Sequence, residues 1–173
     1  MYLRVNRLTI VNKIRYIIQM PYIIKSPLLV KYSKEKRYFC MKKNEELLEL
    51  AKEAAKNAYC VYSKFAVGAC VLYSTGNIYT GCNVENSSYG LALCAERNAI
   101  STAIASGETG DIVKIAIYSP NSKKCFPCGA CRQWLHEFEK GQNIKVILED
   151  EDSSCISYSI KKLLPYSFDL NMI

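Results

Sequence analysis

Three cysteines and one glutamate carry the chemistry that can be read first in this chain. The stretch PCGACRQWL, residues 127–135, sets Cys128 and Cys131 three apart just after Pro127, where a helix can begin. CAERNAI, residues 94–100, sets Cys94 two residues before Glu96 at a second helix start. Unpaired amides and the helix dipole at such starts favour an anionic thiolate, and thiolates bind zinc well. Three of them leave the fourth tetrahedral position of zinc open, which distinguishes a catalytic site from a closed structural one. Glu96, two residues beyond Cys94, then stands beside the open position without being a ligand. A general acid/base must occupy that position to exchange a proton with water. Two other readings compete. Cys125 extends the pair to C-x-x-C-x-x-C at 125, 128 and 131, so four cysteines with Cys94 could close a structural zinc. A redox disulfide at 128/131 would need a βαβ unit with the motif at its first helix, which this sequence does not supply.

The elements that must position these residues follow from periodicity. Leu47, Ala51, Ala54, Ala55 and Ala58 recur at helical spacing after Asn44, a candidate N-cap. FAVGACVLY (65–73) reads as a buried strand, STGN (74–77) as a turn, and IYTGCNVEN (78–86) as the hairpin partner. Residues 94–107 form a second helix with Ile100 and Ile104 on one side and Gly107 as its stop. A strand follows at 112–119, a helix from Cys128 to about Glu139, a strand at 144–148 and a short helix at 159–165. The order α-β-β-α-β-α-β predicts an α/β protein with helices on the faces of a mixed sheet. Trp134 and Phe138, four apart, read as core packing, and His136, the only histidine, as a surface or capping residue. Cys60, Cys70 and Cys82 read as small apolar core residues, Cys155 as core or loop, and EDED (149–152) as a solvated turn.

Bulk properties narrow the function classes. A chain of 173 residues is one domain's worth, and its net charge of +7 is unevenly spread. Residues 1–40 hold nine Lys/Arg and one acid, while residues 41–173 hold 14 bases and 15 acids. The basicity therefore belongs to the leader, and the body offers no electrostatic case for nucleic acid. Residues 1–40 are read as a basic N-terminal extension with little ordered structure, Met41 being the effective start of the 41–173 domain. The alternative is a targeting segment, although serine is scarce for one. Nine cysteines, an odd number in a chain of ordinary size, fit reduced thiols and a cytoplasmic protein. No uninterrupted apolar run of about 18 residues is present, so no membrane partner is expected.

The pattern C-x-E followed about thirty residues later by P-C-x-x-C is the signature of zinc nucleobase deaminases, here in its three-cysteine form. SKFAVGA (63–69), GCNVENSSYG (81–90), CAERNAI (94–100), PCGACRQ (127–133) and LLPYSF (163–168) together closely resemble the cytidine deaminase family of free nucleosides, over roughly residues 42 to 170. The resemblance implies a three-layer α/β/α sandwich with a mixed five-stranded sheet. It implies one Zn2+ per subunit on Cys94, Cys128 and Cys131, and Glu96 as the proton shuttle in hydrolysis of cytidine and deoxycytidine to the uridines for pyrimidine salvage. Arg97 resembles the arginine that supports the ligand sulfurs. Asn83 and Glu85 match a pair that binds the ribose 3′-hydroxyl, Phe65 an aromatic on the pyrimidine, and the Ala95 amide a contact to the base carbonyl. Members of this short type are similar in being homotetramers, and Phe168 sits where such a member offers an aromatic to a neighbouring subunit. Activation of water from a pKa of 15.7 to about 7 is worth roughly 12 kcal/mol. Three thiolates cancel the metal's charge, so the helix starts and Arg97 must draw charge from the sulfurs. Other functions weighed are a deaminase of cytosine antibiotics of the blasticidin type, a non-catalytic zinc module, and a polynucleotide editor, for which the body lacks a basic groove.

Overall fold

The computed structural model describes residues 43–141 and 143–169. The basic extension expected over 1–40 lies outside the described residues. The first helix, α1 (Asn44–Ala55), is followed by the hairpin β1 (Gly68–Tyr73) and β2 (Ile78–Cys82). Then come α2 (Ala95–Ala105), β3 (Ile112–Tyr118), α3 (Gly129–Glu137), β4 (Lys145–Glu149), β5 (Cys155–Ser159) and the single turn α4 (Ile160–Leu163). The sheet order is β2-β1-β3-β4-β5. Only the β3–β4 pair is parallel, with Ile115 opposite Val146, and α3 forms the crossover between them. The other three pairs are antiparallel.

Strand alternation sorts the side chains into two layers of core. Ala69, Val71, Ile115, Ile117, Val146 and Leu148 face one side, where Ala95, Ala99 and Ile100 of α2, Leu135 of α3 and Ile160 of α4 cover them. Cys70, Leu72, Ala116 and Ile147 face the other, covered by Leu47 and Ala51 of α1. The result is the three-layer α/β/α sandwich. Two glycines bring helix and sheet backbones together. A Cβ on Gly81 of β2 would lie 2.4 Å from Ala99 N and 2.8 Å from Ala95 O. One on Gly68 would lie 2.0 Å from Ala51 O. Gly81 thus lets α2, which starts at the site, press on the strand that leads to Asn83 and Glu85.

Several expectations need correction. The sheet has the five strands the resemblance implies, but periodicity does not locate the fifth: β5 pairs antiparallel with β4 at the sheet edge, with Cys155 in the strand. β1 begins at Gly68 and β2 ends at Cys82, short of the predicted strands: Val67 N turns to the Asn83 side chain, and the backbone of residues 83–85 pairs with Tyr59 and Leu93. Asn44 is the first helical residue, not the cap. Lys43 holds the cap position and the Asn44 Oδ1 accepts from Lys114 Nζ at 2.9 Å. Trp134 is 40% exposed on the outer face of α3, not core, and Ile104 is also exposed. Glu149, read as part of a solvated turn, ends β4 at 7% exposure between Lys52 and Lys123. Among the described residues no helix is long and apolar enough to cross a membrane.

Candidate active site

Two helix starts meet at the site. Cys94 occupies the N-cap of α2 and Cys128 the N-cap of α3, both with extended backbone, and Cys131 lies in the first turn of α3. The three sulfurs lie within 4.8 Å of one another, and Cys94 Sγ is 3.9 Å from Cys128 Sγ. Sulfurs at about 2.3 Å from a tetrahedral zinc stand about 3.8 Å apart, so the cluster fits one such ion. Cys125 is not part of this group, which removes the geometric basis for a closed four-cysteine site. Cys128 and Cys131 are free thiols, not a disulfide.

Electrostatics separates the same cysteines. Hydrogen bonding from the Cys131 thiol, opposed by burial and aided by Arg97, pulls Cys94 down to about 5. Cys131 is pushed up by that same bond and by its burial. Burial pushes Cys125 up to about 11, which keeps it a neutral thiol, partly buried against the core. Arg97 donates through Nη2 to Cys94 Sγ at 3.3 Å and to Ala92 O at 3.2 Å, while its buried Nε has no hydrogen-bond partner. The guanidinium is thus held against the sulfurs.

Glu96 is in the first turn of α2 and only 4% exposed. Burial pushes its carboxyl up to about 6, the charge on Cys94 acts in the same direction, and a hydrogen bond with the Cys131 thiol acts against them. A carboxyl poised near neutrality beside the sulfurs can both take and give a proton.

Of the remaining predicted residues, Glu85 lines a cavity, and Asn83 and Phe65 are bonded to the segment beside it. Glu85 accepts from Tyr62 N at 2.8 Å, from Ser63 N at 3.2 Å and from Ser63 Oγ, and Ser63 Oγ accepts from Phe65 N at 3.0 Å. Asn83 donates through Nδ2 to Phe65 O at 2.8 Å, and its Oδ1 accepts from Val67 N at 2.8 Å. The pair thus fixes the 62–67 segment that carries Phe65, which is 37% exposed. A cavity of about 350 Å3 opens between Tyr62, Ser63, Glu85, Asn86, Tyr89 and Ala92. Ala95 is the fully buried first residue of α2. Phe168 is exposed, its carbonyl accepting from Gln133 Nε2 at 2.9 Å. His136 meets Ser167 Oγ through Nε2 at 3.0 Å, a tether at the helix end.

Sequence reading passed over Ser63, Asn98, Asn121 and Arg132. Asn98 Nδ2 donates to Cys82 O at 3.0 Å, joining α2 to the end of β2. Asn121 Oδ1 accepts from Ala66 N at 3.0 Å, and Arg132 braces the ligand turn. Ser63, Asn98 and Arg132 sit inside motifs and Asn121 outside them, but a polar residue bonded to a partner elsewhere in the fold leaves no periodic trace.

The chain matches the family described as the cytidine and deoxycytidylate deaminase zinc-binding region over residues 41–147. It is 40% identical over 124 residues to the cytidine deaminase of Sporosarcina psychrophila, covering 72% of this chain and 90% of that one. The crystal structure of cytidine deaminase from Burkholderia pseudomallei superposes with a TM-score of 0.67 at 40% identity, over 73% of this chain and 99% of that one. The enzyme from Mycobacterium tuberculosis gives 0.63 at 37% identity, over 73% and 97%. Likeness of this extent, in sequence and in backbone, means that the chain belongs to the cytidine and deoxycytidylate deaminase family.

Proposed function

We propose that this chain is a zinc-dependent hydrolase that converts cytidine and deoxycytidine to uridine and deoxyuridine in pyrimidine salvage. The observation that carries the reading is the convergence of the Cys94, Cys128 and Cys131 sulfurs beside the buried carboxyl of Glu96. When bound, zinc supplies an activated water for attack at C4 of the cytosine ring. Glu96 takes a proton from the attacking water, delivers it to N3, and later protonates the departing amine, which leaves as ammonia. Arg97 draws charge from the Cys94 sulfur, so that three thiolates do not quench the metal.

Asn83 and Glu85 retain hydrogen-bonding capacity after serving the 62–67 segment: one amide N–H of Asn83 and further carboxylate lone pairs of Glu85 remain for a ribose hydroxyl. Phe65 packs on the pyrimidine, and the Ala95 amide meets the base carbonyl. A site built to pair a sugar hydroxyl rejects free bases strongly. The catalytic domain comprises residues 41–173 with residues 1–40 as an extension, and the protein works in the cytoplasm as a homotetramer in which Phe168 reaches a neighbouring subunit. The exposed Phe168, Tyr166 and Leu91 are consistent with surfaces covered on assembly.

Ultraviolet assays with cytidine, deoxycytidine and blasticidin S, with and without a chelator, test the reading. Loss of cytidine absorbance that the chelator abolishes is expected. Turnover of blasticidin S alone would identify an antibiotic deaminase, and absence of turnover from zinc-loaded protein would leave a non-catalytic module.

A further inference from the structure

Three side chains of α3 are tied to residues 163–168. Arg132 Nη1 donates to Leu163 O at 3.0 Å, Gln133 Nε2 to Phe168 O at 2.9 Å, and His136 Nε2 lies 3.0 Å from Ser167 Oγ. Arg132 does more than the other two. Its Nε donates to Pro127 O at 2.8 Å, the carbonyl that immediately precedes Cys128, and its own amide donates to Cys128 O at 3.0 Å. One half-buried guanidinium therefore clamps the turn that presents Cys128 and, through its other arm, holds that turn to the carbonyl ending α4.

We propose that Arg132 is a positioning residue for the metal: it fixes the 127–131 turn against α4 so that Cys128 and Cys131 keep the separation a single ion requires. The inference rests on the reading of Cys94, Cys128 and Cys131 as zinc ligands. Cys128 needs such a brace more than its partners do. Cys131 is buried within α3 and Cys94 is held by Arg97, whereas Cys128 is exposed and sits at a helix cap with no side-chain hydrogen bond to the helix. The fork of the guanidinium suits the task because two donors on one rigid plane reach two carbonyls at once, which an ammonium on a flexible stem does not do with the same geometry.

The test uses the full chain loaded with zinc, and reads zinc release to a chromogenic chelator in wild type, Arg132→Lys and Arg132→Ala. Loss of support around a metal ligand costs roughly 10–100-fold in affinity, so Arg132→Lys should release zinc faster by about that factor. Arg132→Ala should do the same and be slowed again by added ethylguanidinium, a rescue that general destabilisation would not show. Cobalt-loaded Arg132→Lys should also show shifted thiolate-to-metal charge-transfer bands. Wild-type release rates and bands in both variants would overturn the role of Arg132 while leaving the site intact. Wild-type protein that binds no zinc would overturn the ligand assignment and this inference with it.

Discussion

The approach of α2 to β2 through Gly81 gives the sharpest test of how the fold sets the chemistry. In Gly81→Ala the added Cβ would fall 2.4 Å from Ala99 N and 2.8 Å from Ala95 O. Ordinary contact begins near 3.4 Å, so α2 must retreat by about 1 Å, and both obstacles are backbone that cannot rotate away. Overpacking of this kind costs typically about 1–3 kcal/mol of stability. The functional cost is separate, because α2 carries Cys94 at its cap and Glu96 in its first turn. A misplacement of about 1 Å at reacting groups can lower turnover about a hundredfold. The fair control is Gly107→Ala at the far end of α2, where φ is +80° and nothing lies within 4 Å of the new Cβ. Alanine in that left-handed position costs about 1 kcal/mol or more without touching the sheet. Urea unfolding should therefore show both variants weakened, while kcat/KM for cytidine falls only in Gly81→Ala. Equal kcat/KM in the two variants would refute the argument that this glycine positions the site.

Three further outcomes are expected. Glu96→Gln should retain zinc, since no ligand changes, yet lose about 10²–10⁴-fold in kcat, the usual contribution of a general acid/base; metal analysis beside steady-state kinetics checks both halves. Cys125→Ser should keep one zinc per chain and lose about 1 kcal/mol in stability for a hydroxyl partly buried against the core, measured by metal stoichiometry and urea unfolding; a variant that binds none would restore the four-cysteine site. At Glu149, burial favours the neutral acid, but the bonds from Lys123 and Lys52 outweigh it and lower its pKa from 4.5. The ion-pair stability is thus present above the unfolded pKa and lost as pH falls through the folded value. Glu149→Gln should accordingly cost about 1–3 kcal/mol near neutrality, with the difference from wild type vanishing in acid; a gap unchanged by pH in urea titrations would contradict the ion pair.

The metal cluster was legible because its residues are rare and their spacing is rigid: a cysteine at a helix cap and another three residues on leave little freedom. The hairpin, α2 and β3–α3–β4 were legible for the ordinary reason that buried strands and small-residue helices leave a period. β5 was not, because its five residues follow the acidic and serine-rich run 149–154, and an alternation of Ile156 and Tyr158 with Ser157 and Ser159 is too short to stand out from it. Trp134 misled because its size argues for burial while its place on α3 turns it outward. Glu149 misled in the opposite sense: within an acidic run it looks solvated, yet two lysines distant in sequence make its burial affordable. Asn83 was found through its motif, but its grip on Phe65 and Val67 is a main-chain contact that no pattern of residue types announces.

The cysteines of the cluster come from two segments 34 residues apart, with a whole strand between them. Any ion they share is therefore a reversible cross-link between distant parts of the polypeptide. A bridge closing a loop of that length restrains the denatured ensemble by roughly 4 kcal/mol in the chain-entropy picture. Occupancy and melting temperature become linked quantities, each rising with the free concentration of metal. Under zinc scarcity such a protein loses its resistance to unfolding along with its catalyst, so depletion would draw down its abundance as well as its activity.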